Sequence, residues 1–392
     1  MNDKELYQTI LGLSSPWRVE RVEMFDEQKE IIVHVGRPSG EKVACPICGS
    51  ASPVYDHVSR CWRHLDTCQY KTILSASVPR SNCATHGVHT IRVPWSDSPS
   101  RFTALFEALA IQWLQAASVS AAAERLGISW SEANGIMQRA VRRGLARRED
   151  EPVEYIGVDE KSFRKRHEYV TVVCDLSNGR VLDIAKDRKK ESLEGLLRGL
   201  SEKQRSSING VAMDMWEPYV QAVDSTLPLG RSKIVFDKFH IAKHLNEGVD
   251  KVRREESKSL AARGDERLKG TRYQWLKNPN NFTSDQWKDF KTLRDSNLKV
   301  ARAWSMKETI MNLWDYCYEG SARRFFKSWL KWVNRSGLSP MKKVGAMMRD
   351  RLDNIMTYLS HRITNAMSEG VNSKIQWIKY MARGYRNIEN YR

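Results

Sequence analysis

The chain has 392 residues, of which 41% are apolar and 28% charged, a balance that excludes a mostly disordered or fibrous protein and suggests two or three domains. No run reaches the ~18 uninterrupted apolar residues of a membrane span, and the segment after Met1 lacks a signal peptide's apolar core, so we expect a cytoplasmic protein without membrane contact. The formal net charge of +17 favours a polyanionic partner, most often nucleic acid, over the alternative of a surface charged only for solubility.

The first predicted domain covers residues 1–98. Short β-rich runs predict strands at 18–22, 30–35, 71–78 and 89–93. The seven cysteines of the chain are too few for a disulfide scaffold at this length, and several fall in this domain. Thiols here that do not serve packing are therefore candidate metal ligands.

Two matched pairs of metal-binding residue types occur in this domain. Two residues separate Cys45 from Cys48, which is followed by Gly49, and Cys83 and His86 repeat this spacing, again with a glycine after the second residue. Such spacing lets both side chains of a pair reach one tetrahedral ion, so the four predict a structural Zn²⁺ site of Cys3His type. The alternative is that the thiols are simply buried. Other residues could replace a ligand, although they lack this spacing: Cys61, Cys68, His57, His64 and His89.

The second predicted domain, residues 99–150, contains a helix-turn-helix pattern at 118–137. Gly127 would supply the left-handed turn, and either Ser129 or Ser131 would cap the second helix. Candidate DNA contacts on that helix and its extension are Ser131, Asn134, Gln138, Arg139, Arg142 and Arg143. Two ordinary packed helices are the alternative interpretation.

In the third predicted segment, residues 151–245, the helical spacing of apolar residues gives way to short runs of β-forming residues. Strands are expected at 155–158, 169–174, 181–185, 208–213 and 233–236, with helices at 191–200 and 219–225. Strands and helices that alternate in this way predict an α/β layer rather than a β-sandwich.

The fourth segment, residues 246–358, has no strand pattern and is predicted to be all-helical. Residues 251–350 hold 23 basic and 11 acidic residues, and this difference accounts for most of the positive net charge of the chain. Six of the 13 tryptophans fall between 240 and 358. The basic residues suggest contacts with phosphates, whereas helical spacing assigns most of the tryptophans to the core. The last segment, 359–392, is predicted to contain a helix at 364–383, capped by Gly384.

Three carboxylates stand in an order that suggests a second metal centre. Asp159 ends the first apolar run of the α/β layer, Asp214 ends the fourth, and Glu369 lies on the last predicted helix. If the first and fourth strands are neighbours, the two aspartates share one sheet edge, where their repulsion favours a bound Mg²⁺ or Mn²⁺. Taken singly, each could equally be a turn residue or a solvated charge.

This order resembles the ribonuclease-H-like fold of DDE transposases and, more narrowly, the ISL-three family of bacterial insertion-sequence transposases. The resemblance spans nearly the whole chain. It rests on the cysteine pair, the helix-turn-helix, and the segments 63–66, 156–160, 214–219, 236–240 and 384–387. It implies a multidomain α/β protein: a zinc-binding β-rich domain, a helix-turn-helix, and a ribonuclease-H-like core that an all-α insertion interrupts.

The resemblance also implies roles for particular residues. Asp159, Asp214 and Glu369 would be the catalytic triad that holds Mg²⁺ or Mn²⁺. Asp237 and His240 would support the site, with Asp237 the rival for the second catalytic position. Apart from the resemblance, the position of Trp216 two residues after Asp214 makes it a candidate for contact with flanking DNA. His86 departs from the family, in which a cysteine is more usual.

The implied activity is DNA transposition. Such an enzyme binds double-stranded DNA at terminal inverted repeats, cleaves it with two metal ions and joins the 3′ end to target DNA. We expect a homodimer on DNA, associated with the nucleoid. Two alternatives are a sequence-specific regulator derived from an inactive transposase and a nuclease that cuts without joining.

Overall fold

A computed structural model describes residues 2–97, 99–164 and 168–382, apart from the side chains of 163, 164, 168 and 366–369. The chain divides into two compact units, 2–148 and 149–380. None of the helices in the described ranges combines the length and apolar character that crossing a bilayer requires.

The first unit begins with a β-rich region. Its elements are α1 (Asp3–Ile10), β1 (Arg18–Phe25), β2 (Glu30–Gly36), β3 (Val43–Ala44), β4 (Ala51–Ser52), β5 (Val54–Arg63), β6 (Lys71–Cys83) and β7 (Gly87–Thr90). The main sheet has the order β1-β2-β6-β5, β7 pairs with β6, and β3 and β4 form a separate small hairpin. The four predicted strands are therefore confirmed, although the last of them begins and ends earlier than predicted. Alternate residues of β2 and β6 bury one apolar face against Trp17, Trp62 and Trp95.

Three helices complete this unit: α2 (Ala104–Ala116), α3 (Val119–Leu126) and α4 (Trp130–Ala146). Gly127 has φ of +63° and ends α3, and the Ser129 side chain accepts a hydrogen bond from the Glu132 amide at the start of α4. The predicted turn and cap are thus confirmed. Phe106, Ala110 and Ile136 form the apolar contact that holds the helices together.

The second unit contains a five-stranded sheet. Its strands are β8 (Tyr155–Arg164), β9 (Glu168–Asp175), β10 (Arg180–Lys186), β11 (Gly210–Met213) and β12 (Ile234–Phe236), in the order β10-β9-β8-β11-β12. The first three strands pair antiparallel, and β8, β11 and β12 are parallel. The prediction that the first and fourth strands are neighbours is confirmed.

Helices cover this sheet and fill the connections between its strands. Four of them are α5 (Lys190–Gly199), α6 (Glu202–Ser207), α7 (Glu217–Thr226) and α8 (Gly230–Lys233). The sequence pattern indicates α5 and α7 but not α6 and α8, which are too short for a hydrophobic period to show. Strand β8 extends beyond the predicted end at 158, because its antiparallel pairing with β9 continues past Asp159.

A helical block follows the sheet, and between 238 and 361 the described residues form no strand. The elements are α9 (Lys238–Ala261), α10 (Arg272–Leu276), α11 (Ser284–Arg294), α12 (Lys299–Met311), α13 (Glu319–Arg335), α14 (Ser339–Asp350) and α15 (Leu352–His361), with 3₁₀ turns at Pro279–Asn281 and Asn312–Asp315. Trp275, Trp304, Trp314 and Trp329 are buried, as their spacing predicts, whereas Trp332 is exposed.

The final described helix is α16 (Ala366–Met381). Val371 and Ile375 are buried on it and pack against apolar residues of β9 and β10. The sheet therefore fixes the helix that carries Glu369. The predicted cap at Gly384 and the 384–387 segment lie outside the described residues.

Candidate functional site

Three aspartates form one row across the parallel strands of the second unit. The register pairs Gly157 of β8 with Ala212 of β11, and two residues further along both strands stand Asp159 and Asp214. The register between β11 and β12 pairs Met213 with Phe236, so the following residues are Asp214 and Asp237. Adjacent strands lie about 4.8 Å apart, which places the Asp159 backbone one strand from Asp214 but two strands, roughly 10 Å, from Asp237.

Asp159 is a half-buried carboxylate whose described hydrogen-bond partners are neutral groups. Its Oδ1 accepts from the Glu160 amide at 2.8 Å, and its Oδ2 accepts from the Asn372 side chain at 2.5 Å. Burial raises the pKa of Asp159 to about 6, and the nearby Asp214 carboxylate adds to the rise. This part of the site carries excess negative charge.

Asp214 and Asp237 share a different neighbour, His240. The His240 Nδ1 lies 2.5 Å from Asp214 Oδ1 and 3.2 Å from Asp237 Oδ2. Contact with Asp214 first, and with Asp237 second, raises the pKa of His240 to about 10, so the imidazole is a cation at neutral pH. Asp214, Asp237 and His240 are close enough to hold a metal ion. The imidazolium balances only one of the two carboxylate charges, so the group keeps a net negative charge.

Asp237 is also tied to the backbone. It is buried at the N-cap of α9, where its side chain accepts a hydrogen bond from the Phe239 amide. Both aspartates contact His240, but only Asp237 also caps a helix and is almost fully buried. Asp214 follows the strand next to that of Asp159, whereas Asp237 follows the strand beyond it.

Two asparagines, which the sequence pattern does not indicate, attach α16 and the residue before it to β8. Asn365 donates to the Val158 carbonyl at 3.2 Å, and Asn372 donates to Asp159. Glu369 precedes Asn372 by three residues, which puts both on one face of α16. The Glu369 side chain lies outside the described part of the chain.

Asp159 and Asp214 line a cavity of about 220 Å³. Its lining includes Asp159, Asp214, Trp216 and His240, together with Arg188. Trp216 is partly exposed, and its indole N–H donates to the Arg188 carbonyl at 3.1 Å. Two nearby carboxylates, one of them with a raised pKa, are a donor set that suits a divalent cation with oxygen ligands.

The Cys3His set of the first unit is already assembled. The ligand atoms of Cys45, Cys48, Cys83 and His86 all lie within 4.8 Å of one another. The Cys48 and Cys83 sulfurs are 3.7 Å apart, and Cys83 Sγ lies 3.6 Å from His86 Nδ1. A tetrahedral zinc ion separates its ligand atoms by roughly 3.3–3.8 Å.

Backbone amides favour the thiolate form of these ligands. Hydrogen bonds from Thr85 and His86 lower the pKa of Cys83 to about 7. Gly49 and Gly87 have φ of +75° and +73°. Each of these left-handed residues ends the tight turn that carries one ligand pair, which we call a zinc knuckle. Of the rival ligands, His64 is buried and hydrogen-bonds through Nδ1 to Thr103 Oγ1, and Cys61 is exposed on β5.

Helix α4 presents fewer free side chains than the sequence predicts. Ser131, Gln138 and Arg142 are exposed. Arg139 is only partly exposed, because its guanidinium pairs at 2.6 Å with Glu107, a carboxylate buried on α2. Glu107 requires this cation, and the crossing of α2 and α4 that joins them is not visible in a linear pattern.

Two further predicted contacts are also partly engaged. Arg143 pairs with Glu107 at 3.1 Å and with Asp97 at 3.3 Å. Asn134 is only half-exposed, and its Oδ1 is buried. Arg142 instead lines a cavity of about 570 Å³ together with Arg60 and Arg92 of the β-rich region, two basic residues that the sequence motifs do not reveal.

A carboxylate-lined cavity in one unit and a helix-turn-helix in the other are together the features expected of a protein that acts on DNA with a divalent metal ion. Three family models match the chain. They are described as transposase, of DDE type and ISL3 family, over residues 156–392; helix-turn-helix domain of transposase family ISL3, over 91–141; and zinc-finger of transposase IS204/IS1001/IS1096/IS1165, over 41–86. The first covers more than half of the chain, which therefore belongs to the ISL3 family of insertion-sequence transposases.

Two curated relatives are similar over the full length. The chain is 26% identical over 396 residues to the transposase for insertion sequence element IS1001 of Bordetella parapertussis, covering 100% of this chain and 97% of the relative. It is 26% identical over 418 residues to the transposase for IS1557 of Mycobacterium tuberculosis, covering 99% of this chain and 93% of the relative. The resemblance inferred from the sequence motifs is confirmed.

Proposed function

We propose that this transposase binds the terminal inverted repeats of its element, cleaves the DNA to leave a 3′-OH and joins that end to target DNA. The observation that carries the proposal is the parallel pairing of β8 with β11, with Asp159 on the first of these strands and Asp214 directly after the second. Their mutual repulsion and the raised pKa of Asp159 favour a bound cation.

Asp159, Asp214 and Glu369 are the proposed ligands of Mg²⁺ or Mn²⁺. When bound, two such ions would activate the attacking hydroxyl and stabilise the leaving oxygen in phosphoryl transfer. The chain's own residues keep the carboxylates in place. Asn372 fixes one oxygen of Asp159, and the His240 cation holds Asp214 from the side of Asp237.

A ribonuclease-H-like core with an all-helical insertion is the proposed architecture of the second unit. The sheet order, three antiparallel strands followed by two parallel ones, supports it. So does the position of the helical block between β12 and α16. The proposed domains are 1–98 for zinc binding, 99–150 for the helix-turn-helix, 151–245 and 359–392 for the core, and 246–358 for the insertion.

The first unit is proposed to recognise the element ends. The Cys3His set would hold a structural Zn²⁺, and the exposed residues of α4, Ser131, Gln138 and Arg142, would face the DNA. Arg60 and Arg92 share a cavity with Arg142 and would add phosphate contacts. Two ends must be brought together, so we expect two copies of the chain in the active complex.

A basic stripe on α13 is the proposed contact between the helical block and the DNA backbone. Arg324, Lys327, Lys331 and Arg335 repeat every three or four residues and are exposed. Among the ion pairs of the described residues, none involves Lys327, Lys331 or Arg335. Spacings of three and four residues align side chains on one helix face, so the stripe can follow a phosphate chain.

Removing two charges of the stripe should weaken DNA binding in a salt-dependent way. We expect Lys327→Ala/Lys331→Ala to lower the slope of log affinity against log salt by about 2, because each lysine that meets a phosphate contributes about one released counterion. The control is Lys269→Ala, an exposed lysine paired with Glu266. An unchanged slope in the double variant would show that the stripe does not contact the DNA backbone.

The activity itself is tested on DNA that carries the element's own ends, found as inverted repeats flanking the gene. Wild type with Mg²⁺ or Mn²⁺ should give 3′ cleavage and joined products, both lost in Asp214→Asn and Glu369→Gln. Nicks without joining would indicate a nuclease. Tight end binding without cleavage in either metal would indicate a regulator and contradict the proposal.

A further inference from the structure

Arg188 occupies a position between two concavities of the second unit. It lines the 220 Å³ cavity that contains Asp159 and Asp214, and it also lines a neighbouring groove of about 580 Å³. Trp216 also lines both the cavity and the groove. The Arg188 side chain is 40% exposed, so a ligand entering either space can reach it.

Two aromatic rings hold the Arg188 guanidinium. Its Cζ lies 4.5 Å from the centroid of the Tyr169 ring and 5.0 Å from that of the Trp216 ring. Arginine stacks on aromatic faces through its flat, delocalised cation and still keeps its in-plane N–H donors available. The rings therefore restrict the side chain to a small region while leaving its hydrogen-bonding edge usable.

The backbone beneath Arg188 is fixed as well. Asp187 has φ of +64°, its amide donates to the Tyr169 carbonyl at 2.9 Å, and its carbonyl accepts from the Thr171 hydroxyl at 2.6 Å. The Arg188 carbonyl accepts from the Trp216 indole. These bonds tie the connection between β10 and α5 to β9 and to the start of α7. The guanidinium is thus held in advance, which lowers the entropy lost when it binds a ligand.

The charged partner of Arg188 is Glu160, the residue that follows Asp159. The Arg188 Nη1 lies 3.2 Å and 3.3 Å from the two Glu160 oxygens. Both side chains are partly exposed, and an ion pair of this kind contributes little to stability. Such a pair can be exchanged for a stronger one at small cost, and a phosphate that accepts two parallel N–H bonds is a stronger partner for arginine.

We propose that Arg188 binds the two non-bridging oxygens of a phosphate in the DNA strand entering the proposed catalytic cavity, exchanging Glu160 for the phosphate. The proposal rests on the proposed function, because it takes DNA as the ligand of this cavity. The stacked rings hold the guanidinium beside the carboxylates, where a phosphodiester of the strand must pass. Arg188 is then a phosphate-binding residue that positions the strand, in addition to the carboxylates that hold the metal.

The test combines Arg188→Ala with end DNA that carries a single neutral methylphosphonate, placed in turn at each phosphate around the cleavage site. On unmodified DNA we expect Arg188→Ala to lower kcat/KM by about 10- to 100-fold, as for the loss of one charged hydrogen bond. At one position the methylphosphonate should slow wild type to the rate of the variant, because the two changes then remove the same contact. At every other position the difference between wild type and variant should persist.

Two further variants make the result interpretable. Arg198→Ala removes an exposed, ion-paired arginine of α5 and should leave cleavage within about twofold of wild type. Arg188→Lys keeps the charge and the long stem but loses the paired donors. It should be less active than wild type, and it replaces the alanine variant if that variant does not fold.

The outcomes separate this proposal from the function on which it rests. If wild type does not cleave unmodified ends in either metal, the proposed function fails. If wild type cleaves and Arg188→Ala cleaves equally well, or loses the same factor on every methylphosphonate DNA, the phosphate contact is wrong while the function stands.

Discussion

The zinc-ligand set of the first unit draws four side chains from two short motifs, whereas the carboxylates of the second unit come from positions as distant as 159 and 369. In the first, backbone amides lower the pKa of Cys83 and favour the ligand form of the thiol. In the second, burial and like charge raise the pKa of Asp159. One set is closed by its own four ligands, and the other opens into a cavity.

This contrast is the one expected between a structural site and the proposed catalytic site. A closed set of four ligands leaves no position for a substrate, so its metal contributes to folding. An open pair of carboxylates is costly without a cation and leaves coordination positions for a reacting phosphate. Damage to the first set should therefore affect the fold, and damage to the second should affect the rate.

The largest expected effect follows from breaking the closed set. Cys83→Ser should abolish zinc binding and unfold the knuckle region, because structural zinc contributes about 10–16 kcal/mol in zinc-finger peptides. Binding to the element ends should be lost with it. Zinc per chain, measured by atomic absorption, and a gel-shift assay with end DNA check both effects.

Cys61→Ser is the matched control for this prediction. Cys61 is exposed on β5 and stands outside the four-ligand set, so its variant should keep one zinc per chain and bind the ends normally. A full zinc complement in Cys83→Ser would show that another residue completes the set.

An intermediate effect is expected from Asn372, which positions the open site. Asn372→Ala removes the amide that fixes Asp159 and should lower the cleavage rate by about 10- to 100-fold, as is typical of residues that orient metal ligands. Thermal unfolding should change little. The control is Asn297→Ala, a change at an exposed loop asparagine. An unaltered cleavage rate in Asn372→Ala would show that this contact of α16 does not support cleavage.

The smallest effect concerns pH, because the two units contain histidines with opposite shifts. Burial lowers the pKa of His64 to about 4, so the unfolded chain binds more protons between pH 6.5 and 4, and stability falls as pH drops through that range. The first unit should lose about 2 kcal/mol between pH 7 and pH 5. The raised pKa of His240 acts in the other direction, since its contribution is complete below pH 6.5 and is lost as pH rises through about 10.

Denaturant unfolding at pH 7 and pH 5, followed by a probe in each unit, tests this difference. His64→Gln should reduce the acid sensitivity of the first unit, whereas His57→Gln, at an exposed position, should not. Equal sensitivity in His64→Gln and wild type would assign the effect to other groups.

Features encoded by local spacing are the ones that the sequence predicts well. The Cys3His set, the turn at Gly127 and the cap at Ser129 each depend on residues a few positions apart. The neighbouring strands that carry Asp159 and Asp214 could be predicted because short buried strands and their order leave few topologies.

Contacts between distant segments could not be predicted in this way. Asn372 lies 213 residues from Asp159, and Glu107 meets Arg139 only because α2 and α4 cross. Neither pair leaves a periodic signal in one sequence, so the pairing that partly buries Arg139 could not be predicted. Arg188 is similar, since its ring partners come from β9 and the start of α7.

The central claim is that Asp159 and Asp214, not Asp237, share the catalytic cation. The most direct measurement is cleavage of end DNA by Asp214→Cys and by Asp237→Cys, each in Mg²⁺ and in Mn²⁺. A thiolate is a poor ligand for Mg²⁺ and a better one for a softer ion. We expect Asp214→Cys to be inactive in Mg²⁺ and to recover activity in Mn²⁺, while Asp237→Cys keeps the metal preference of wild type. Recovery in Mn²⁺ at Asp237→Cys and not at Asp214→Cys would contradict the account.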